Sequence, residues 1–454
     1  MKSPQITFTG SLEYSGEPDR SWDSQRETAG PEKAKSRTQR QLLAGARMQR
    51  TSLLLCLGVL FSLSYAQSDP EEGGAEEHVE LFTTPTAKMA AATSDFGYNL
   101  FRQLAARDPK ASVLLSPISI SAALTQVSMG ASSQAEKQLY RVLRYHALTD
   151  TQLHDTLRDL LSAIRAPGKG LNSAARVYLE RKLRLRLEYL NAVEKQYGVR
   201  PKALTGSSRD LKEINDWVKQ QTGSKVDRFF TSALPRNAGV VPLGAAYFKG
   251  QWVTRFGQTG KMEDFKLDGA APVRIPMMQQ ERYPVKLGID SDLGCTIAQV
   301  RMQGDISMVF FLPDEVTQNM TLIEESLSAE FVQDLSNMLH PVQVNLALPV
   351  LKLSYSTDLL PLLSDMGLSE WLARTDLVKI TSQEAKVSSL HHKAVMETAP
   401  DGSQSASSTP PSNGQSLALT YHVDRPFIFL VRDEPSGALL FIGKVLNPRD
   451  LSRV

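Results

Sequence analysis

Residues 425–448 read RPFIFLVRDEPSGALLFIGKVLNP, and this stretch decides the fold class. Two apolar runs, Phe427 to Val431 and Ala438 to Val445, flank Pro435-Ser436-Gly437. A turn cluster between two β-prone runs is the signature of a hairpin. Upstream, Val342, Val344, Leu346 and Leu348 alternate with polar or small residues, as in a half-buried strand. Asp305 to Leu312 is almost continuously apolar, which predicts a strand covered on both faces. Further back the period changes. Phe96, Leu100, Phe101 and Leu104 recur at helical spacing, and Ile214, Trp217 and Val218 form a second stripe. Ser116-Pro117 offers an N-cap with a first-turn proline and Gly130 a stop, which predicts a helix over 117–129. Helices first and strands last predict an α+β fold with mainly antiparallel sheets.

Of the 454 residues, 41% are hydrophobic and 22% charged, too apolar and too mixed in sign for a wholly disordered chain. Lys+Arg 51 against Asp+Glu 49 gives +2, so nothing in the net charge argues for nucleic acid. The beginning of the chain divides further. Residues 1–47 are polar and aperiodic and are expected to be a disordered upstream extension. Met48-Gln49-Arg50, the uncharged run Leu53 to Leu63 and Ser64-Tyr65-Ala66 read as a signal peptide over 48–66, with Met48 as the working start and secretion implied. The run is too short for a transmembrane span. Residues 67–86 form a flexible acidic lead-in, and one domain fills 87–450. Removing 1–66 takes 9 Lys+Arg and 6 Asp+Glu from the totals, leaving a net charge of −1.

No GxSxG, HExxH, GxxxxGK[ST] or paired CxxC motif occurs, and no cofactor is expected. His391-His392 would point to opposite faces of a strand, one buried and one exposed, and so cannot clasp one metal. Asp290-Ser291-Asp292 puts two carboxylates on one side of an extended segment, a weak signal for a divalent cation. Cys295, the one cysteine left after the signal, lies in an apolar run and reads as a buried, inert thiol. Asn319-Met320-Thr321 is a glycosylation sequon. From Arg176 to Glu188 apolar residues alternate with charged ones, so a strand would present Lys182, Arg184 and Arg186 along one face, with Arg181 beside them. Such a row suits the sulfates of a glycosaminoglycan, which arginine grips through two N–H groups. A solvated strand face is the alternative use of the same charges.

Six blocks carry a family resemblance: Ser94 to Leu100, LLSPISISAAL at 114–124, INDWVKQQTGSKV at 214–226, AAYFKGQWVTRF at 245–256, LHHKAVMETAPDG at 390–402, and the ending at 425–448. In this order they resemble a serpin over 88–448. The resemblance implies three β-sheets surrounded by eight or nine helices, and an exposed reactive loop at about 399–421. TQNMTLIEESL at 317–327 and IDSDLGC at 289–295 are most similar to a non-inhibitory, matrix-binding member of the family. That likeness implies heparin or heparan sulfate binding at Arg181, Lys182 and Arg184, extended by Arg186. It implies collagen binding at Asp290, Asp292 and Asp334. It also implies a monomer that signals through cell-surface receptors, partly through 113–156, with neurotrophic and anti-angiogenic effects.

In an inhibitory serpin the cleaved loop inserts as a new central strand, which needs a glycine hinge followed by small residues. Gly402 and Ser403 fit the hinge, and Gln404 to Thr409 are mostly small. Pro410 and Pro411 do not fit. Neither carries the N–H that a central strand must donate. The expectation is a non-inhibitory protein. The alternatives are a working serine-protease inhibitor and a small-ligand carrier on the same scaffold.

Overall fold

The computed structural model describes residues 82–149, 152–373, 376–404 and 419–451, with backbone alone for 399–404. The expectations for 1–47 and 48–66, and most of that for 67–86, lie outside the described residues, as do Pro410 and Pro411.

Helix α1 (Pro85–Arg107) opens with Thr84, whose hydroxyl accepts the Ala87 N–H at 3.1 Å. It buries the predicted stripe Phe96, Leu100, Phe101 and Leu104. Helix α2 (Pro117–Ser128) is buried along its whole length. Two details of its predicted punctuation are corrected. Ser116 occupies the N-cap, but its side chain makes no capping bond. Gly130 is not in the left-handed region; it is small because Ile380 packs where a Cβ would stand, 2.1 Å from the Ile380 side chain. Helices α3 (Ser133–Val142), α4 (Leu153–Ile164), α5 (Leu187–Tyr197) and α6 (Arg209–Gln221) follow, then α7 (Thr321–Ser326) and α8 (Ala329–Met338). Helix α9 runs through Leu360–Leu363, Ser364–Leu368 and Ser369–Ala373, kinked where Gly367 takes φ 96°. Nine helices among the described residues meet the expectation.

The strands form three regions. The main one orders β3 (Lys202–Ala203), β2 (Leu171–Leu179), β4 (Val240–Thr254), β11 (His391–Gln404) and β10 (Lys352–Asp358). A second runs β1 (Val113–Leu115), β14 (Leu439–Val445), β13 (Phe427–Asp433), β8 (Ile306–Pro313), β7 (Cys295–Met302) and the end of β6 (Ala270–Asp290). The third comprises β5 (Gln258–Leu267), the start of β6, β9 (His340–Pro349) and β12 (Thr420–His422). The predicted hairpin is β13–β14, with Phe427 opposite Val445, and β8 is buried throughout. Two links make the regions continuous: the length of β6, and a single pair, Trp252 with Met302, between β4 and β7.

Most pairs are antiparallel, but the centre of the main region is not. Strands β4 and β11 run parallel and pair from Leu243–His391 up to Thr254–Gln404. They lie far apart in sequence, so no tight hairpin dictates their direction.

Candidate functional site

The residues expected to form the reactive-loop hinge lie in this parallel seam. Gly402 pairs with Trp252 and Gln404 with Thr254, so Ser403 stands within the ladder. Between Ala399–Gln251 and Gly402–Trp252 the register skips Pro400 and Asp401. A proline, which cannot donate to a ladder, thus falls at a bulge. Because β4 and β11 bond directly, the place a new central strand would take is closed.

Below the hinge the seam is pinned from the side. Fully buried His392 accepts the Ser116 N–H at Nε2, 3.1 Å away, and its Nδ1 lies 3.1 Å from the Gly244 carbonyl, to which it donates. One imidazole therefore ties β11 to the start of α2 and to β4. Burial pushes its pKa down to about 4. His391 is half-buried against Phe230, not exposed as the alternation predicted, because the 229–230 segment covers that face. Among the described residues no group of three or more potential ligands could hold a metal.

The basic cluster does not lie on a strand. Strand β2 stops at Leu179. Leu183 N–H then closes a turn onto the Glu180 carbonyl, and Arg186 N–H bonds Ile380 O at 2.8 Å, just before α5. The alternation of burial holds as far as Leu183 and Leu185, which pack against the core, and fails at Leu187, which opens α5 at 64% exposure. Arg181, Lys182, Arg184 and Arg186 are nevertheless all exposed. Among the described residues none of them forms an ion pair with a carboxylate. The Arg184 N–H bonds the Gln383 side chain, and Leu185 bridges Thr381. This stitching brings the segment carrying exposed Lys379 and Lys386 alongside, two cations that the sequence reading missed. Only the sheet pairing reveals them, since some 200 residues intervene.

The acidic residues gather around the β6–β7 hairpin. Asp290 ends β6 and Asp292 lies in the turn beyond it, so the two do not share one extended segment. Asp290 Oδ1 accepts the N–H groups of Asp292 (3.1 Å) and Leu293 (2.9 Å), which folds 290–294 into a turn. Asp292 and Asp334 are exposed, the latter on α8. Helix α8 closes on the hairpin at Gly288, where a Cβ would sit 2.6 Å from the Leu339 side chain. Asn319 is exposed just before α7, and its Oδ1 accepts the Thr321 N–H and hydroxyl at 2.9 and 2.6 Å. Its neighbour Gln318 donates to Leu293 O, so the sequon borders the acidic turn. Cys295 is fully buried, and burial raises its thiol pKa to about 12.

Comparison with known proteins agrees with this arrangement. The family model described as Serpin (serine protease inhibitor) matches residues 91–448. Pigment epithelium-derived factor of Homo sapiens is 43% identical over 420 residues, covering 88% of this chain and all of that protein. The Bos taurus protein of the same name is 42% identical over 415 residues with the same coverage. Among solved structures, human glycosylated kallistatin superposes with a TM-score of 0.72 at 28% identity, over 81% of this chain and 99% of that one.

Proposed function

The chain belongs to the serpin family, and on that premise we propose that it is a secreted, non-inhibitory serpin acting as an extracellular signalling ligand. It is not an enzyme. The observation that carries the reading is Pro410-Pro411, placed in the segment that would have to become a strand between β4 and β11. A strand there must donate N–H groups to both neighbours, and two consecutive prolines cannot. Similarity to pigment epithelium-derived factor along the whole of that protein supports a like role, neurotrophic and anti-angiogenic.

Two surfaces would hold such a ligand in the matrix. Arg181, Lys182, Arg184 and Arg186, exposed and, among the described residues, free of ion pairs, would bind heparan sulfate and other glycosaminoglycans. Asp290, Asp292 and Asp334 would meet the lysines and arginines of collagen. Cell-surface receptors would engage the helical stretch around 113–156, and Asn319 would carry the glycan. The test is thermal unfolding before and after cleavage within 405–418, the cut mapped by mass spectrometry. An unchanged midpoint is expected. A rise of tens of degrees after cleavage would mean that the loop inserts, and protease inhibition would replace this reading.

A further inference from the structure

We infer that the cleft where α4 ends beside the end of α5 binds a small organic anion, a carboxylate carried on an apolar body, with Arg165 as its anchor. The site shares no residue with either matrix-binding surface proposed above and stands or falls apart from them.

Leu161, Ser162, Arg165, Ala166, Pro167 and Tyr197, together with Arg158, line a cleft of about 520 Å³. Small-molecule sites occupy about 300–1,000 Å³. Local structure makes the concavity. Helix α4 ends at Ile164, after which the Ala166 N–H closes onto Ala163 O and the Lys169 N–H onto Ala166 O, both at 3.2 Å. The chain thus folds through a tight turn before β2 begins at Leu171. Helix α5 ends at Tyr197, where Gly198 takes φ 69°. The Tyr197 hydroxyl is engaged by His154 Nδ1 at 2.7 Å, and its ring remains to line the cleft.

Arg165 is a cation without a counter-ion. Its Nε donates to Ser173 Oγ at 2.8 Å. Among the described residues neither of its Nη atoms has a hydrogen-bond partner, and no carboxylate pairs with it. Its side chain is exposed, yet burial lowers its pKa to about 10, and no neighbouring charge offsets that effect. A guanidinium crowded by protein and still open to water sits in a concavity. Arg158 differs, because Asp155 (2.7 Å) and Asp159 (3.1 and 3.0 Å) already hold it.

The free Nη pair offers two parallel N–H donors, the arrangement that grips a carboxylate through both oxygens. Leu161, Ala166, Pro167 and the Tyr197 ring supply an apolar wall. An inorganic anion would use the fork and leave the wall wet. A neutral hydrocarbon would use the wall and leave the guanidinium unmatched. An aromatic or aliphatic carboxylate uses both.

The probe is para-trifluoromethylbenzoate, followed by fluorine NMR on the full-length protein. Its neutral counterpart, para-trifluoromethylbenzyl alcohol, and inorganic phosphate serve as comparisons. The variants are Arg165→Gln, which removes the fork, and Ser162→Phe, which fills the cleft. Both positions are exposed, so unchanged melting confirms folding. The benzoate is expected to bind with a dissociation constant of about 1 mM or tighter. The alcohol on wild type, and the benzoate on Arg165→Gln, should bind about tenfold more weakly or worse. Ser162→Phe should abolish binding, and equimolar phosphate should not displace the benzoate. No binding by about 10 mM would overturn the inference. So would equal affinity for acid and alcohol, or wild-type affinity in either variant. Displacement by equimolar phosphate would reduce the site to a bare anion contact and overturn the organic class.

Discussion

The imidazole of His392 should make stability fall with acid, by an amount the structure sets. Neutral His392 accepts the Ser116 N–H and donates to Gly244 O. A protonated ring has no acceptor left, so Ser116 N–H would face a second donor in a buried site. Burial accordingly holds the folded pKa at about 4, against 6.5 for the free side chain. The folded pKa is the lower one, so between those values the unfolded chain binds the extra proton. The stabilisation is then complete above about pH 6.5 and is lost as pH falls toward 4. A difference of about 2.5 units corresponds to about 3 kcal/mol in full, of which about 2 is gone by pH 5. The perturbation is His392→Gln, which keeps a polar group but cannot titrate. Urea unfolding at pH 7.5 should find the variant less stable by about 1–3 kcal/mol, the cost of disturbing two buried hydrogen bonds. Between pH 7.5 and pH 5 wild type should lose about 2 kcal/mol more than the variant. His154 and His391, whose pKa values burial also lowers, titrate in both proteins and cancel in the subtraction. Identical losses in the two proteins would refute the assignment.

Three further outcomes follow from the same coordinates. Replacing Arg181, Lys182, Arg184 and Arg186 by Gln should lower the salt needed for elution from heparin, while stability, read by melting, stays within about 0.5 kcal/mol per site because all four are exposed. Gly443→Ala should destabilise by about 1–3 kcal/mol in urea, since a Cβ on β14 would stand 2.4 Å from the Phe429 ring. Cys295, buried with its thiol pKa raised to about 12, should resist a disulfide reagent in the native protein and react in denaturant.

The fold was legible wherever one physical demand dominates a segment. The hairpin at 427–445, buried β8 and the stripe of α1 all follow from apolar period and turn residues. What failed to read was set by partners distant in sequence. The alternation through Arg176 to Glu188 looks like one strand, yet Ile380 and Thr381 capture the chain after Leu179 and bend it into a turn. Gly130 reads as a helix stop, yet the space it leaves belongs to Ile380. Asp290 reads as an ordinary exposed acid, yet its carboxylate is taken up by two backbone N–H groups. In each case the residue type was informative and its local role was decided by a long-range contact, which no single-sequence period can encode. The cation set was incomplete for the same reason, Lys379 and Lys386 arriving from the far end of the chain.

The parallel seam between β4 and β11 ties these observations to the fate of the loop. Gly244 lies under α2 so closely that a Cβ would stand 2.8 Å from Ser119 O, and its carbonyl accepts the hydrogen bond from His392 Nδ1–H. Admitting a strand means parting that contact along with the ladder from Leu243 to Thr254. An ordinary inserting segment would restore a ladder on each side and bury new surface, so the gain would exceed the loss. Pro410 and Pro411 change the balance, because each leaves an acceptor on a neighbouring strand unpaired, at about 1–3 kcal/mol apiece when buried. The hinge already shows how this chain accommodates a proline in the ladder: Pro400 stands where the register slips. A second slip at 410–411 would shift every later residue against both neighbours, and the outcome in which the loop stays out of the sheet needs no slip at all.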